Sequence, residues 1–560
     1  MNKLILLFSI ATFFFCCQSQ TKKSIGKALI EYSYNDIDSA IIHYKKLKKE
    51  NTKAYNFDDE NELNNLGYKL LGENRVNDAI EIFKLLVNEF PNSANPYDSL
   101  GEAYLLNDNE ELAIKNYKKS YELDPKNENA DRIIVGFENN NRDRNKFLKI
   151  YSKKEYLEDI DELAKKLTTA NPHPYKFMSK KDFWNVVKEK KELVTNKTTY
   201  SEFIWHCSEL VANINCVHSG LGYFNQEREM LPKELFFPLE GRLIDDKFFI
   251  TNPLINENLK KGSEILTING VKFKDLKEEI FKHISSQGHI ETTKTIFFNS
   301  YMNSYIPYAL NFPKNYTITI NGEKNPIRLE QLKTYNYPPR HYPTNLCDSK
   351  DLCLDIVNDD TAVLTIINTG DYYGSRFSIY KDFLDKSFQE IHSKEIKNLI
   401  IDMRSNGGGP GNTGIYLLRY LVKDAFIYKK LSEGANIANK SFEPLENRYK
   451  GATYFLVDGE SGSTIPHILS HIKEKKLATI IGEEMGGNHF CTGGQRHYKL
   501  SNTSVFYLVG RYTNVSAADS FPDNRGIMPD YFVTQDIHDY LNDVDTVMKY
   551  TLELIQKEKQ

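Results

Sequence analysis

The chain opens on an apolar run. Leu4 to Phe15 follows the positive start Met1-Asn2-Lys3 and ends at Cys16-Cys17, after which Gln18 to Lys23 is polar. About a dozen residues suits the apolar segment of an export signal and falls short of the roughly 20 that span a bilayer. Further on, apolar positions recur at helical spacing. Leu66, Leu70 and Leu71 line one predicted helix; Ala79, Ile80, Phe83 and Leu86 line the next. Residues 140–215 also read as helices, with Tyr156, Ile160, Leu163 and Leu167 on one stripe and Phe203, Ile204, Cys207 and Leu210 on another. Lys247 to Ile250 reads as a strand. From about residue 360 strands and helices alternate. Ala362 to Ile367 is a strand, 375–391 a helix, and Leu399 to Met403 an apolar run suited to a buried parallel strand. A helix from about Thr413 follows, then the strand Tyr454 to Asp458 and the helix Ile465 to Lys473.

The early helices repeat. Gly67 recurs as Gly101, Ala79 as Ala113 and Pro91 as Pro125, each 34 residues on, the length of a tetratricopeptide repeat. Gly and Ala fall where paired helices approach closely, and the prolines end the second helix of each unit. Residues 29–56, with Ala40, Ile41 and Tyr44, are a candidate third hairpin. The all-α repeat region is therefore expected over 29–135, as a site for a protein partner or as a spacer. Two repeats bury little alone and should lean on a neighbour.

Length and composition narrow the classes. A chain of 560 residues holds about three or four domains. An apolar content of 40% excludes wholesale disorder. Net charge is −4, from 72 basic and 76 acidic residues; there is no basic surplus to neutralise phosphates, so no nucleic-acid partner is expected. Two of the seven cysteines close the signal. Cys17, preceded by the small Cys16, fits bacterial lipid attachment better than Cys16, preceded by Phe15; the alternative is an ordinary cleaved signal. Both readings of 1–17 export the chain. The first places it in the cell envelope, held to the membrane by its lipid alone and facing the periplasm or exterior. Cys347 and Cys353 are spaced to close a small loop in an oxidising compartment. No paired CxxC and no HExxH pattern occurs, so neither metal nor cofactor is expected.

Two strand-to-helix turns carry the candidate chemistry. The first is Arg404-Ser405-Asn406-Gly407-Gly408-Gly409, whose glycines bare backbone amides either as a phosphate cradle or as an oxyanion hole. GK[ST] is missing, which disfavours a phosphate loop. The second is Gly459-Glu460-Ser461-Gly462-Ser463-Thr464, where Ser463 is either a nucleophile or simply the helix N-cap. Upstream, His218 stands between a helix end and a Gly-rich turn, a common place for a presented side chain.

The ordered set resembles the tail-specific (C-terminal-processing) proteases and the tricorn core protease. It comprises Asp402 to Gly409, Ser461 to Ser463, Gly482 to Gly487 and Gly526-Ile527-Met528-Pro529-Asp530. Leu259 to Val271 resembles the Gly-Asp-x-Ile-Leu-x-Ile-Asn-Gly hairpin of PDZ domains, Asn269-Gly270 being a strong hairpin turn in its own right. The resemblance spans about 145–555 and implies a crotonase-like α/β catalytic core at 355–560. It also implies a helical cap at 140–225, a PDZ-like insert at 230–335, and hydrolysis of peptides or unfolded protein tails. The tail-specific branch pairs its serine with a lysine 25 residues on, and that position is Asn488. The tricorn-like branch uses a histidine from the helical region, which His218 matches. Asp523 then stands for the orienting acid, with Gly407 or Gly408 and Thr464 as oxyanion amides. His489 is the alternative base. Pro466 and His467 stand where relatives carry small or acidic residues, which leaves open a rival reading as a non-catalytic binding scaffold.

Overall fold

The N-terminal helices pair off because each small residue admits a large one. Asn61–Gly72 lies against Val76–Glu89, and Ala94–Leu106 against Glu110–Leu123. A methyl group on Gly67 would come within 2.4 Å of the Phe83 ring, and one on Gly101 within 3.0 Å of Tyr117. Leu66, Leu70, Ala79, Phe83 and Leu86 are buried together, whereas Leu71 is only partly covered. Ile25–Asn35 and Ile37–Glu50 form a further pair ahead of these. The computed structural model describes residues 22–134, 144–221, 231–331 and 351–559, apart from 74, 108, 128 and 132. Two units divide the chain, one up to Ile134 and one from Val135 onward. Cys17 and Cys347 lie outside the described residues. No helix among the described residues is long and apolar enough to cross a membrane.

The second unit begins with helices Lys153–Ala170, Lys180–Leu193 and Tyr200–Ala212. The first and third start at full capping boxes, Ser152 with Glu155 and Thr199 with Glu202. Tyr156, Ile160, Leu163, Phe203 and Cys207 make their shared core. An antiparallel sheet follows. Its strand order is Glu240–Ile244, Lys247–Asn252, Glu264–Ile268, Thr317–Ile320, Ile327–Arg328. Helices Phe273–Phe281 and Glu291–Ala309 close its core. Its tight turn has Asn269 and Gly270 at φ 49° and 79° between the paired Ile268 and Val271, both left-handed as a primed turn demands.

The remaining chain builds a six-stranded sheet in chain order: β1 Leu352–Asn358, β2 Thr361–Ile366, β3 Asn398–Asp402, β4 Ala452–Val457, β5 Thr479–Gly482 and β6 Tyr531–Phe532. Only β1 runs antiparallel to its neighbour. Helices α1 Phe377–Ser393, α2 Gly411–Arg419 and α3 Thr464–Glu474 connect β2 through β5, and α4 Thr546–Glu558 covers Val363, Ile400, Tyr454 and Leu456 on one face. Every residue of β2 and β3 is buried, which is why their centres, Ala362 to Leu364 and Leu399 to Ile401, are apolar without alternation. Register aligns Thr365, Asp402 and Leu456, so the strand ends that launch α2 and α3 lie side by side. Ligands of open parallel sheets gather at such carboxyl ends. A three-stranded ribbon stands nearby, Lys429–Ser432 and Phe490–Gly493 flanking Tyr512–Ser516.

Candidate active site

Buried charge anchors the first turn. Arg404 leaves the end of β3 and grips Asp402 through Nε (2.9 Å) and Nη2 (2.6 Å). Its Nη1 and Nη2 also reach both oxygens of Asp545, at 2.8 and 2.6 Å. Asp545 in turn caps α4. Burial pushes the Asp545 carboxyl up, but the Arg404 charge and hydrogen bonds outweigh it and the net is a lowered pKa. Asn406 then shapes the glycine loop. Its Nδ2 donates to the Ile366 carbonyl (2.8 Å), and its Oδ1 accepts from the Gly408 amide (2.9 Å) and the Thr369 hydroxyl (3.1 Å).

The second turn is laced to the first. Asp458 at the end of β4 accepts the amides of Ser405, Glu460 and Ser461 at 3.0–3.1 Å. Ser461 Oγ donates to the Met403 carbonyl (3.1 Å) and the Gly462 amide to the Asn406 carbonyl (3.1 Å). Ser463 follows with φ 51° and ψ −103°, a left-handed conformation that a serine adopts only under constraint. It stands at the N-cap position of α3, but its hydroxyl makes no cap hydrogen bond. Gly408, at φ 91°, packs on this serine: a Cβ there would stand 2.6 Å from Ser463 Cβ and 2.7 Å from the Thr464 nitrogen. Thr464 Oγ1 donates to the Gly409 carbonyl, fastening the start of α3 to the glycine loop.

Of the expected oxyanion donors, Gly408 needs correction, because its N–H already serves Asn406. A Cβ on Gly407 would meet nothing within 4 Å, so that residue faces open space. The Thr464 amide is one of the unsatisfied donors at the start of α3.

Three imidazoles gather beyond the turns. His218 sits between helix Tyr200–Ala212 and strand Gly220–Leu221, with its Cβ 3.2 Å from where a Gly510 Cβ would stand. It is buried, its Nδ1 is unpartnered, and burial followed by the Lys429 charge lowers its pKa to about 4. His489 is also buried, and its Nε2 lies 2.9 Å from Asp523 Oδ1, while Lys176 holds the other oxygen of Asp523 at 2.6 Å. Burial lowers the His489 pKa despite the opposing carboxylate. Asp523 therefore attends His489 and not His218, which corrects the expected pairing. Asn488 is bound between the Asp523 and Arg525 carbonyls and the Phe490 amide, and so acts as a backbone tie. The third imidazole, His467, lies one turn after Ser463 on α3, with Nε2 3.8 Å from Cys491 Sγ. Burial and then the charges of Lys429 and the other histidines drive its pKa well down. Its i,i+4 spacing from Ser463 was visible in the sequence; Lys429, within an ordinary strand, carried no such signal.

Residues 369–533, which hold both turns, match the profile of Peptidase family S41. This part of the chain is a peptidase family S41 domain. It is thereby a serine-type peptidase domain of the tail-specific protease family. No curated protein matches the chain. Among solved structures it is similar to mature CPAF complexed with lactacystin, at 12% identity and a TM-score of 0.49 over 72% of this chain and 97% of that one. The photosystem II D1 C-terminal processing protease follows at 13% and 0.34, covering 68% and 93%. The tricorn protease gives 13% and 0.31, covering 72% and 37%. The assignment of the S41 domain rests on the sequence match.

Proposed function

We propose that the S41 domain is catalytically active, cleaving peptides or unfolded protein tails by Ser–His chemistry outside the cytoplasm. One observation carries this reading: Ser463 is held at positive φ at the head of α3, with its hydroxyl left out of the cap. A strained serine on a strand-to-helix turn is the architecture of a nucleophile elbow. In this reading His218, neutral above about pH 4, takes the proton from Ser463 as the hydroxyl attacks the scissile carbonyl. The amides of Gly407 and Thr464 hold the oxyanion, helped by the positive end of α3. The imidazolium then protonates the leaving amine, and water releases the acyl group by the reverse steps. The contact between His489 and Asp523 favours a second reading, with His489 as the base and Asp523 its orienting acid. The sheet is read as a crotonase-like core, the antiparallel sheet as a PDZ-like insert, and the N-terminal pairs as tetratricopeptide hairpins for a protein partner. Cys17 is the proposed lipid anchor.

The test is labelling with a fluorophosphonate. Wild type should label, Ser463→Ala should not, and whichever of His218→Ala and His489→Ala loses labelling identifies the base. A folded wild type that never labels would replace the enzyme with a binding scaffold.

A further inference from the structure

One carboxylate faces two nitrogens. Asp523 Oδ1 lies 2.9 Å from His489 Nε2, and Oδ2 accepts from Lys176 Nζ at 2.6 Å. A carboxylate paired with an ammonium only accepts, so the contact places the ring hydrogen of His489 on Nε2. Nδ1 is then the bare nitrogen, and it is buried with no partner among the described residues. The segment that carries this ring runs beside the nucleophile. A Cβ on Gly487 would stand 3.7 Å from the Ser463 nitrogen and 3.0 Å from Pro466 Cγ.

Lys176 comes from the loop between helices Lys153–Ala170 and Lys180–Leu193, and that loop is built to hold it. It opens on Asn171-Pro172-His173-Pro174, where each proline fixes its own φ. Asn171 Oδ1 accepts the His173 amide at 2.8 Å, and His173 Nε2 meets Thr513 Oγ1 of the ribbon at 3.1 Å. The Lys176 ammonium also sits 4.2 Å over the centre of the Phe490 ring. Asp523 is fixed from the other side. Asn488 Nδ2 donates to its carbonyl, and the His289 amide donates to the Asn524 carbonyl at 2.9 Å. Ammonium, carboxylate and imidazole thus form one row, tethered at both ends.

Charge decides what the row does. With Lys176 present the Asp523 charge is already balanced, so a proton added to His489 leaves the row with a net positive charge. Without Lys176 the same proton would neutralise a lone carboxylate. Two other groups bear on the ring: Lys430, itself paired with Asp519, and His467 on α3. We infer that Lys176 is a positioning residue for His489: by holding Oδ2 of Asp523 it fixes Oδ1 on Nε2 and keeps the imidazole neutral, with Nδ1 bare to take the Ser463 proton. Lys176 touches no reacting atom and acts through Asp523. As Ser463 Oγ bonds to the scissile carbonyl its proton passes to Nδ1, Nε2 keeps its own, and Asp523 faces the imidazolium that results. This rests on the second reading of the base, but the titration of His489 tests the charge setting apart from turnover.

The experiment follows the His489 ring by nitrogen-15 NMR on the full chain with labelled histidine, its signal identified by its loss in His489→Gln. The ring should report its hydrogen on Nε2. Its titration midpoint should rise by about one pH unit in Lys176→Met, and Lys176→Arg, which keeps the charge, should restore the wild-type midpoint. The acid limb of kcat/KM should climb by the same amount in Lys176→Met and return in Lys176→Arg. Thermal melting checks that both variants fold; a merely structural lysine would lower the melting temperature and leave the midpoint alone. A midpoint unmoved by Lys176→Met, or moved as far by Lys176→Arg, overturns the inference. A midpoint that moves while the limb stays would overturn the role in turnover and leave the base to His218. Fluorophosphonate labelling of the wild type judges catalysis independently, so a shifted midpoint without labelling would keep the charge setting and remove the peptidase reading.

Discussion

The turns after β3 and β4 begin alike and end differently. Each leaves a buried parallel strand at an aspartate, Asp402 or Asp458, and each leads into a helix. After Asp402 the charge is neutralised by Arg404, and the following loop offers backbone alone. After Asp458 the carboxylate accepts three backbone amides and the Ser461 hydroxyl, with no arginine bonded to it among the described residues, and burial raises its pKa. Both turns hold a serine at positive φ, Ser405 at 62° and Ser463 at 51°, but only Ser463 stands at the head of a helix. One turn is stiffened by an ionic lock so that it can be bare, and the other by backbone hydrogen bonds so that it can present a hydroxyl. Substitutions that exchange these roles should have graded effects.

The largest effect is expected at Ser463. Ser463→Ala should lower peptide hydrolysis by on the order of 10³-fold or more while leaving the melting temperature nearly unchanged, since the hydroxyl supports no hydrogen bond of the helix start. Residual activity within tenfold of wild type would remove Ser463 from the mechanism. Next comes the lock. Arg404→Ala leaves Asp402 and Asp545 buried and unpaired, and should cost about 3–5 kcal/mol in chemical denaturation. Loss of less than 1 kcal/mol would show that the glycine turn does not depend on it.

Gly408→Ala follows. The new Cβ would meet Ser463 Cβ, and alanine is strained at φ 91°, so about 1–3 kcal/mol of stability should go. Labelling of Ser463 should drop with it. Unchanged labelling would mean that the two turns are less tightly fitted than their contact implies.

These turns also mark what sequence could and could not reveal. Buried strands announced themselves as apolar runs, and the helix pairs by Gly67 and Gly101 recurring against Phe83 and Tyr117. The strand-to-helix turn that carries Ser463 was legible in the same way. Partnerships were not. Asp523 was assigned to His218, yet it lies beside His489, because the side chains around 488–490 and 523–525 are brought together by Asn488 holding two carbonyls, a tie that no spacing rule encodes. The glycine amides were legible as a set, but the use of Gly408 by Asn406 depends on one side-chain rotamer. Lys429 was hidden because a lysine in a strand is normally solvated, and here the ribbon covers it.

pH should separate the two imidazoles. Free histidine titrates near 6.5, and the sequence alone suggests an acid limb there. The His218 pKa of about 4 moves the acid limb of kcat/KM down toward pH 4. Stability follows the same sign. Between pH 6.5 and about 4 the unfolded chain binds a proton that buried His218 refuses, so stability is full above 6.5 and falls as pH drops through that window. His206, also lowered to about 4 by burial, adds to it. Asp523→Asn discriminates between the bases. Its carboxylate raises the His489 pKa, so removing it should shift the limb lower only if His489 is the base. An unmoved limb keeps His218.

The smallest effect is expected at the other serine of the pair. Ser461 is fully buried, and its hydroxyl joins the two turns by bonding the Met403 carbonyl and Asp458. It has no strain and no free hydroxyl. Ser461→Ala should remove one buried hydrogen bond, worth about 1 kcal/mol of stability. Because the Ser461 amide still bonds Asp458, and Gly462 still bonds Asn406, the path to Ser463 survives. Activity should fall less than tenfold, and labelling should remain on Ser463. A loss as large as that of Ser463→Ala, in a protein that melts normally, would mean that the hydroxyl acting in catalysis belongs to Ser461. The contrast drawn between an ordered, tying serine and a strained, presented one would then have to be reversed.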